Sequence, residues 1–356
     1  MPGVLFFSTF MSMLYYLGIM QRIVIFIGRC LSYTLGSTAA ESMNAAGNMF
    51  VSMTESNLMI SPFIPTMTAA ELHSIMVAGF GSIAGSVLGP YIRFGIPADH
   101  LLSATVMSAP ATLAVTRICY PEVEVPKVTI EDIENMERIR EGSIIDAAIQ
   151  GAMLSFKIIS CILVNLIAFL SVLRFINATL TWFGDRVGLE DVSFEMLCSY
   201  FLYPVAVFMG TEWSDCRRMA ELVGIKTFTN EFIAYEKLAE LIKNRQAYEK
   251  YLRENGPGSI HFVGEDIILG DFTNSSRLIA GIISQRSEVI ATYALCGFSN
   301  IGSMGIVLGS LSAMAPNRQT ILSKLVFRAM VAGNVACFVT ACIAGLFFHN
   351  FEKDET

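Results

Sequence analysis

The chain has 356 residues, 53% hydrophobic and 15% charged, with a formal net charge of −7 and a mean hydropathy of +0.55. Soluble proteins carry about 25% charged residues, so the composition excludes a disordered chain or an ordinary soluble domain. The acidic balance, without a basic stripe, argues against nucleic acid as a partner; eight cysteines without CxxC or Cys/His spacing argue against a disulfide framework or a cysteine metal site.

A bilayer span takes about 20 mostly apolar residues. Residues 1–21 form such a run, uncharged until Arg22. They lack a basic leading region and a clear cleavage site, so they read as a helix rather than a signal peptide. A short apolar stretch follows at 23–37, of the length typical of interfacial or re-entrant pieces. Residues 38–63 then mix polar and apolar side chains, too polar to span and too apolar for an open loop. Helices are expected over 71–92, uncharged from Ser74 to Arg93, and over 100–118, with His100 and Arg117 near its ends.

An acidic linker at 121–147 includes Glu122, Glu124, Glu131, Asp132, Glu134, Glu137 and Glu141. A helix over 148–186 follows, in which Arg174 is expected to snorkel. The pattern then recurs: a short apolar stretch at 194–210, a mixed segment at 212–242, and, after a polar region at 243–285 that begins in an amphipathic helix, apolar helices over 286–311 and 320–349. Residues 351–356 are a polar tail, bringing the expected number of spanning helices to about six. Trp182 and Trp213 read as interface anchors. Asn177 lies in a glycosylation sequon inside an apolar run and is discounted, whereas Asn274 heads a credible one in a polar loop. Counting spans with Arg22 and Arg29 inside also places Arg318, Lys324 and Arg328 inside, as positive charge prefers.

The recurrence is an internal repeat. Gly79-Phe80-Gly81-Ser82-Ile83 and Gly297-Phe298-Ser299-Asn300-Ile301 both read G-F-x-x-I, each in an uncharged span after a mixed segment. Each mixed segment holds a Glu beside a polar residue, Thr54-Glu55 and Asn230-Glu231. Paired interrupted segments in two halves of a membrane protein point to a transporter binding site near the midplane, because non-helical backbone survives at that depth only where protein buries it or it lines a cavity. Gly and Ser in such spans also serve close helix packing. A carboxylate at mid-membrane costs about 2.5–3.5 kcal/mol on insertion scales, so Glu55 and Glu231 are candidates for ligand contact, the alternative being an interfacial Glu reaching water. Asn48, Asn300 and Ser303 suit a neutral ligand rich in hydroxyls and amides, or helix–helix hydrogen bonds. Glu41 is expected at the polar mouth of the first hairpin and His73 at an interface. An intramembrane enzyme is disfavoured: there is no HExxH or GxGD string, and the four His residues are scattered.

The strings FFSTFMSMLYYLGIMQ, GNMFVSMTES, ELHSIMVAGFGSIAGSVLG, LLSATVMSAPATLA, KTFTNEFIAYEKL and SEVIATYALCGFSNIGSMGIVLG, from about Val4 to Gly345, resemble the eukaryotic branch of the concentrative nucleoside transporter family. The resemblance implies an all-α polytopic membrane protein of inverted repeats, with two re-entrant helical hairpins and interrupted transmembrane helices. It implies sodium-coupled symport of nucleosides across the plasma membrane by an elevator-type alternating-access mechanism, in a homotrimer embedded in the lipid bilayer, with sodium as coupling ion and no other cofactor. The expected division is a scaffold helix at 1–22, a first half of the transport domain at 23–120 with its hairpin at 38–63, a scaffold and trimer helix at 148–186, and a second half at 187–350 with its hairpin at 212–242.

By motif match, Met53, Thr54 and Glu55 fall where the family contacts the nucleobase, with Val87 on an apolar wall. Glu231, Asn300 and Ser303 fall where it holds ribose, with Phe298 beside them. Sodium falls to Asn48, the carbonyls of Val51 and Ile83, and the side chains of Thr54 and Ser82. Two departures stand out. Met53 replaces the family's Gln, trading an amide for a thioether that is at best a weak acceptor, so base selectivity is expected to shift or broaden. Family members also carry further scaffold helices before the region matching residues 4–21, so a truncated, non-transporting fragment or regulatory form is the alternative expectation.

Overall fold

Glycine sets the first bend. In a computed structural model, which describes residues 2–128, 132, 143–188, 192–256, 260–263, 266–270 and 276–348, α1 (Pro2–Tyr16) ends before Gly18, whose φ of 72° is a left-handed conformation that only glycine adopts freely. The chain turns by 85° into α2 (Ile19–Leu35). The run at 1–21 is therefore split, its first helix ending at Tyr16, and most of the stretch at 23–37 belongs to a second helix across a sharp bend.

The first hairpin begins at a reciprocal cap. Thr38 N–H donates to Glu41 Oε2 at 2.8 Å, and Glu41 N–H to Thr38 Oγ1 at 3.4 Å, which answers two of the donors a helix start leaves open. This opens α3 (Ala39–Asn48), buried along its whole length, which turns at 49–52 into α4 (Met53–Met59). A Thr68–Glu71 box starts α5 (Ala69–Phe80). Residues 82–84 are not helical, and α6 (Gly85–Phe94) follows, so the run at 71–92 is two short helices around a break. α7 (Ala98–Cys119) is continuous.

Of the acidic linker, Glu131, Glu134, Glu137 and Glu141 lie outside the described residues, as do Asn274 and the tail 351–356. α8 (Ile144–Arg186) has 43 residues, roughly 64 Å at 1.5 Å per residue, about twice a hydrocarbon core. α1 lies along it, with Ser8 Oγ donating to Gly151 O at 3.3 Å, while Phe156, Ile167 and Phe175 are exposed on it.

Short helices α9 (Phe194–Phe201) and α10 (Tyr203–Phe208) lead to the second hairpin, α11 (Cys216–Phe228) and α12 (Glu231–Asn255). The polar region beyond contains an antiparallel sheet, β1 (Ile260–Val263), β2 (Asp266–Leu269) and β3 (Ser276–Leu278), in that order. Ile267, Leu269 and Leu278 bury one face of it against Tyr248 and Tyr251 of α12. Gly256-Pro257-Gly258, Gly264 and Gly270 around short alternating runs carry the signal of these strands, within a region whose overall polarity reads as connection. α13 (Gln285–Ala294) stops, residues 295–300 are not helical, and α14 (Ile301–Met314) and α15 (Gln319–Leu346) complete the chain.

Of the six expected spans, Ala98–Cys119 and Pro316–Leu346 are long and apolar enough, among the described residues, to cross a bilayer unaided, and the bent pair α1–α2 qualifies only as a unit. The runs at 71–92 and 286–311 fall short because each is broken. α5, α7, α13 and α15 pack on one another in the centre. Two apolar cores flank them: one around the first hairpin with Met53, Met76, Phe80 and Met330, and one around the second with Tyr91, Tyr235, Leu238 and Leu295. Phe298 packs against both.

The breaks cross where side chains are smallest. A Cβ on Gly297 would lie 2.8 Å from Phe80 O and 2.7 Å from Cys337 Sγ, whereas one on Gly305 would meet nothing within 4 Å. Gly297→Ala should therefore cost about 1–3 kcal/mol through overpacking, read as a lower midpoint in thermal unfolding of the detergent-solubilised protein. Gly305→Ala should leave the midpoint unchanged or slightly raised, since Ala is the better helix former.

Candidate functional site

The first half of the site is a ladder of amides. Asn44 Nδ2 donates to Asn57 Oδ1 at 2.8 Å, Asn48 Nδ2 to Asn44 Oδ1 at 2.9 Å, and Ser56 Oγ to Asn44 O at 2.7 Å. These bonds lock the two arms of the hairpin together. They leave Asn48 Oδ1 buried without a hydrogen-bond partner, a state that costs about 1–3 kcal/mol unless something answers it. α3 and α4 both pack on α5, whose broken end carries Ser82 and the fully buried Ile83. Ser82 Oγ donates to Ala78 O at 2.7 Å, which leaves its lone pairs as acceptors. Val51 is buried in the turn, and Thr54 Oγ1 lies 3.1 Å from Ser52 Oγ. Neutral oxygens at a helix end and a break are of the chemical type that a hard cation such as sodium takes, and Asn48 Oδ1 is a buried acceptor without a hydrogen-bond partner.

Glu55 is half-buried. Its Oε2 accepts from Ser52 N–H at 2.8 Å, so it caps α4 with one oxygen. Met53 is buried, with its Cβ 2.9 Å from where a Cβ on Gly79 would stand; it packs the hairpin onto α5 in the first core. Val87 is buried with Tyr91 and Tyr235 in the second core.

The second half holds charge. Asn230 caps α12, its Oδ1 accepting from Ile233 N–H at 3.0 Å. Glu231 follows, 4% exposed, at the positive end of the helix dipole. Its Oε2 accepts from Asn300 Nδ2 at 2.9 Å, and Asn300 Oδ1 accepts from Ser303 N–H at 2.8 Å. One amide thus caps α14 and binds the carboxylate. Ser303 is buried beside it. α14 packs against α4 and against α11, so its N-terminus joins the two hairpins. Tyr235 Oη donates to Thr292 O at 2.8 Å, and its ring lies 4.4 Å from that of Tyr91, which ties α12 to α13 and α6.

Lys226 was not among the residues picked from sequence. It is fully buried, its Nζ donating to Ser299 Oγ at 2.6 Å and to Asn334 Oδ1 at 2.5 Å. Its signal was a lone charge in an otherwise uncharged stretch, Leu222 to Asn230. Two other expectations change. Glu41 is 1% exposed and ion-paired at 2.6 Å with Arg117. His73, expected at an interface, is fully buried, with Nδ1 2.8 Å from Thr116 Oγ1 and its ring stacked on Tyr120, because α7 packs on α5. Trp182 and Trp213 are exposed. Asn177 bonds Glu195 and the Phe194 N–H, both at 2.8 Å, joining α8 to α9. A cleft of about 530 Å³ lined by Asp215, Arg218, Arg245 and Arg286 lies elsewhere and includes none of the predicted site residues.

Residues 100–345 match the family described as Na+ dependent nucleoside transporter C-terminus, and residues 1–98 the family described as Nucleoside recognition. The human protein solute carrier family 28 member 3 is 49% identical over 346 residues, covering 97% of this chain and 47% of that relative. Sodium/nucleoside cotransporter 1 of Mus musculus is 43% identical over 348 residues, covering 98% of this chain and 50% of the relative. The chain thus spans about half the length of the curated relatives it matches. The solved structure of CNTnw in an inward-facing substrate-bound state aligns with a TM-score of 0.79 at 33% identity, over 97% of this chain and 74% of that one. A doubly substituted CNTnw in an outward-facing state aligns with a TM-score of 0.82.

Asn300 is the joint of the second half. Asn300→Ala removes both the cap and the partner of Glu231, whereas Asn300→Ser keeps an acceptor for the Ser303 N–H. Thermal unfolding should therefore show Ala less stable than Ser, by about 0.5–2 kcal/mol for the cap alone.

Proposed function

The chain belongs to the sodium-dependent nucleoside transporter family, and we propose that it carries nucleosides across the plasma membrane, coupled to sodium. The observation that carries this reading is the meeting of two helical hairpins with two broken helices: an unanswered acceptor at Asn48 in one half and a buried Glu231–Asn300 pair in the other.

In this reading the hairpins enter the bilayer and turn back. Sodium binds first, at Asn48, Ser82, Thr54 and the carbonyls of Val51 and Ile83, answering the Asn48 oxygen. It steadies the turn at 49–52 and so presents Thr54 and Glu55 to the nucleobase. Glu231 Oε2 already accepts from Asn300; its remaining lone pairs suit the vicinal hydroxyls of a ribose, and the second N–H of Asn300 and the Ser303 hydroxyl complete that pocket. Val87 and Phe298 supply apolar wall. The base contact departs from the family at Met53, whose burial against Gly79 suits packing more than base recognition.

Loading both hairpins ties them to α14, and the loaded body moves as an elevator against a scaffold that includes α1 and α8. The exposed apolar residues of α8 suit lipid or further copies in a homotrimer. The sodium gradient drives the cycle together with the membrane potential, which adds about 2.3 kcal/mol per charge per 100 mV. No bond is made or broken.

Glu231→Gln should lower saturable uridine or adenosine uptake at least tenfold, about 1.4 kcal/mol of lost binding, at unchanged surface expression. Wild-type uptake by this variant would remove the ribose role. Asn48→Ala should raise the sodium concentration that gives half-maximal uptake, with less effect on the saturated rate; an unchanged sodium curve would take Asn48 out of the cation site.

A further inference from the structure

The two halves meet their breaks with different chemistry. In the first, the outgoing arm of the hairpin, α3, ends on Asn48, whose buried oxygen has no donor, and the neighbouring break carries Ser82. In the second, the outgoing arm, α11, carries Lys226, and the neighbouring break carries Ser299, which accepts from the ammonium. One half has acceptors that need a cation; in the other a cation is already bonded to the chain.

Packing does not call for that charge. Ser299 Oγ and Asn334 Oδ1 are 3.0 Å apart, and Asn334 Nδ2 donates to Ser299 O at 3.1 Å, so the break and α15 are tied together without the lysine. Both partners of Nζ are neutral oxygens, as a bound metal cation's would be. Burying an ammonium among neutral groups costs far more than burying a methionine of similar length. Ser299, its ligand, adjoins Asn300, the partner of Glu231.

We propose that Lys226 is the resident cation of the second half-site: it holds the Ser299–Asn300 break, and through it Glu231, as sodium holds the break at Ser82, so this half draws no ion from solution. The inference rests on the nucleoside-carrier reading above. Lys226 is a positioning residue, acting on ligand through Asn300 and Glu231. A tethered cation crosses with the moving body in both directions, so it adds nothing to the net charge moved per cycle, whereas a sodium taken from solution adds one.

The test uses the whole chain in liposomes, with uridine as substrate and sodium and membrane potential imposed. Lys226→Met keeps the side-chain length and removes the charge; Asn334→Asp keeps the ammonium and neutralises it. Both should raise the uridine concentration for half-maximal uptake about tenfold at low sodium, the scale of one charge-assisted bond. Lys226→Ala, which also vacates the space that the ammonium fills, should regain affinity at high sodium, with a steeper sodium dependence and more charge moved per uridine. A Lys226→Met protein with the wild-type half-saturation and sodium curve overturns the proposal, as does one that loses only maximal rate. If Lys226→Met does not fold, Asn334→Asp decides by the same half-saturation reading, and an unchanged value overturns it. Wild-type protein without saturable, sodium-dependent uridine uptake overturns the carrier reading and this inference with it; normal wild-type uptake beside an indifferent Lys226→Met overturns the inference alone.

Discussion

A backbone hydrogen bond joins the two breaks: Phe298 N–H donates to Ser82 O at 3.2 Å. Each partner belongs to a broken helix, and each break leaves backbone groups that the helix no longer satisfies. In apolar surroundings such groups need partners from within the protein. Here each break supplies one for the other, and they approach closely because Gly81, Gly297 and Gly333 present no side chains at the crossing.

The halves are alike in plan and unlike in charge. The first is a chain of neutral amides running Asn57, Asn44, Asn48, ending on an unanswered oxygen. The second is charged, with Glu231 held by Asn300 and Lys226 held by Ser299 and Asn334.

Stability and function draw on the same contacts. Asn300 is cap, carboxylate partner and neighbour of the break; Glu55 is helix cap and candidate ligand at once. A ligand that competes for these groups changes the ends of the helices that carry them, which is a physical route from binding to movement of the hairpins. The Glu41–Arg117 pair and the His73–Thr116 bond lie on α3, α5 and α7. The ion pair fastens the first hairpin to α7, and the His73–Thr116 bond fastens α5 to α7.

The sequence alone was enough to mark the long apolar helices and to single out two carboxylates in apolar surroundings. Length of apolar run marked α7 and α15, mixed composition marked both hairpins, and the doubled G-F-x-x-I string marked both breaks, because these are local properties of chain and solvent. Glu55, Glu231, Asn300 and Asn48 stood out since polar groups in apolar runs need a reason. Partners were not legible. That Lys226 meets Asn334, that Glu41 meets Arg117, that His73 is covered by α7, and that Met53 packs under Gly79 depend on residues far away in sequence. The face that the three-stranded sheet buries likewise depends on Tyr248 and Tyr251 of α12. Periodicity says which residues want burial, but the energy of a buried polar group is set by what stands opposite it, and only the packed chain decides that.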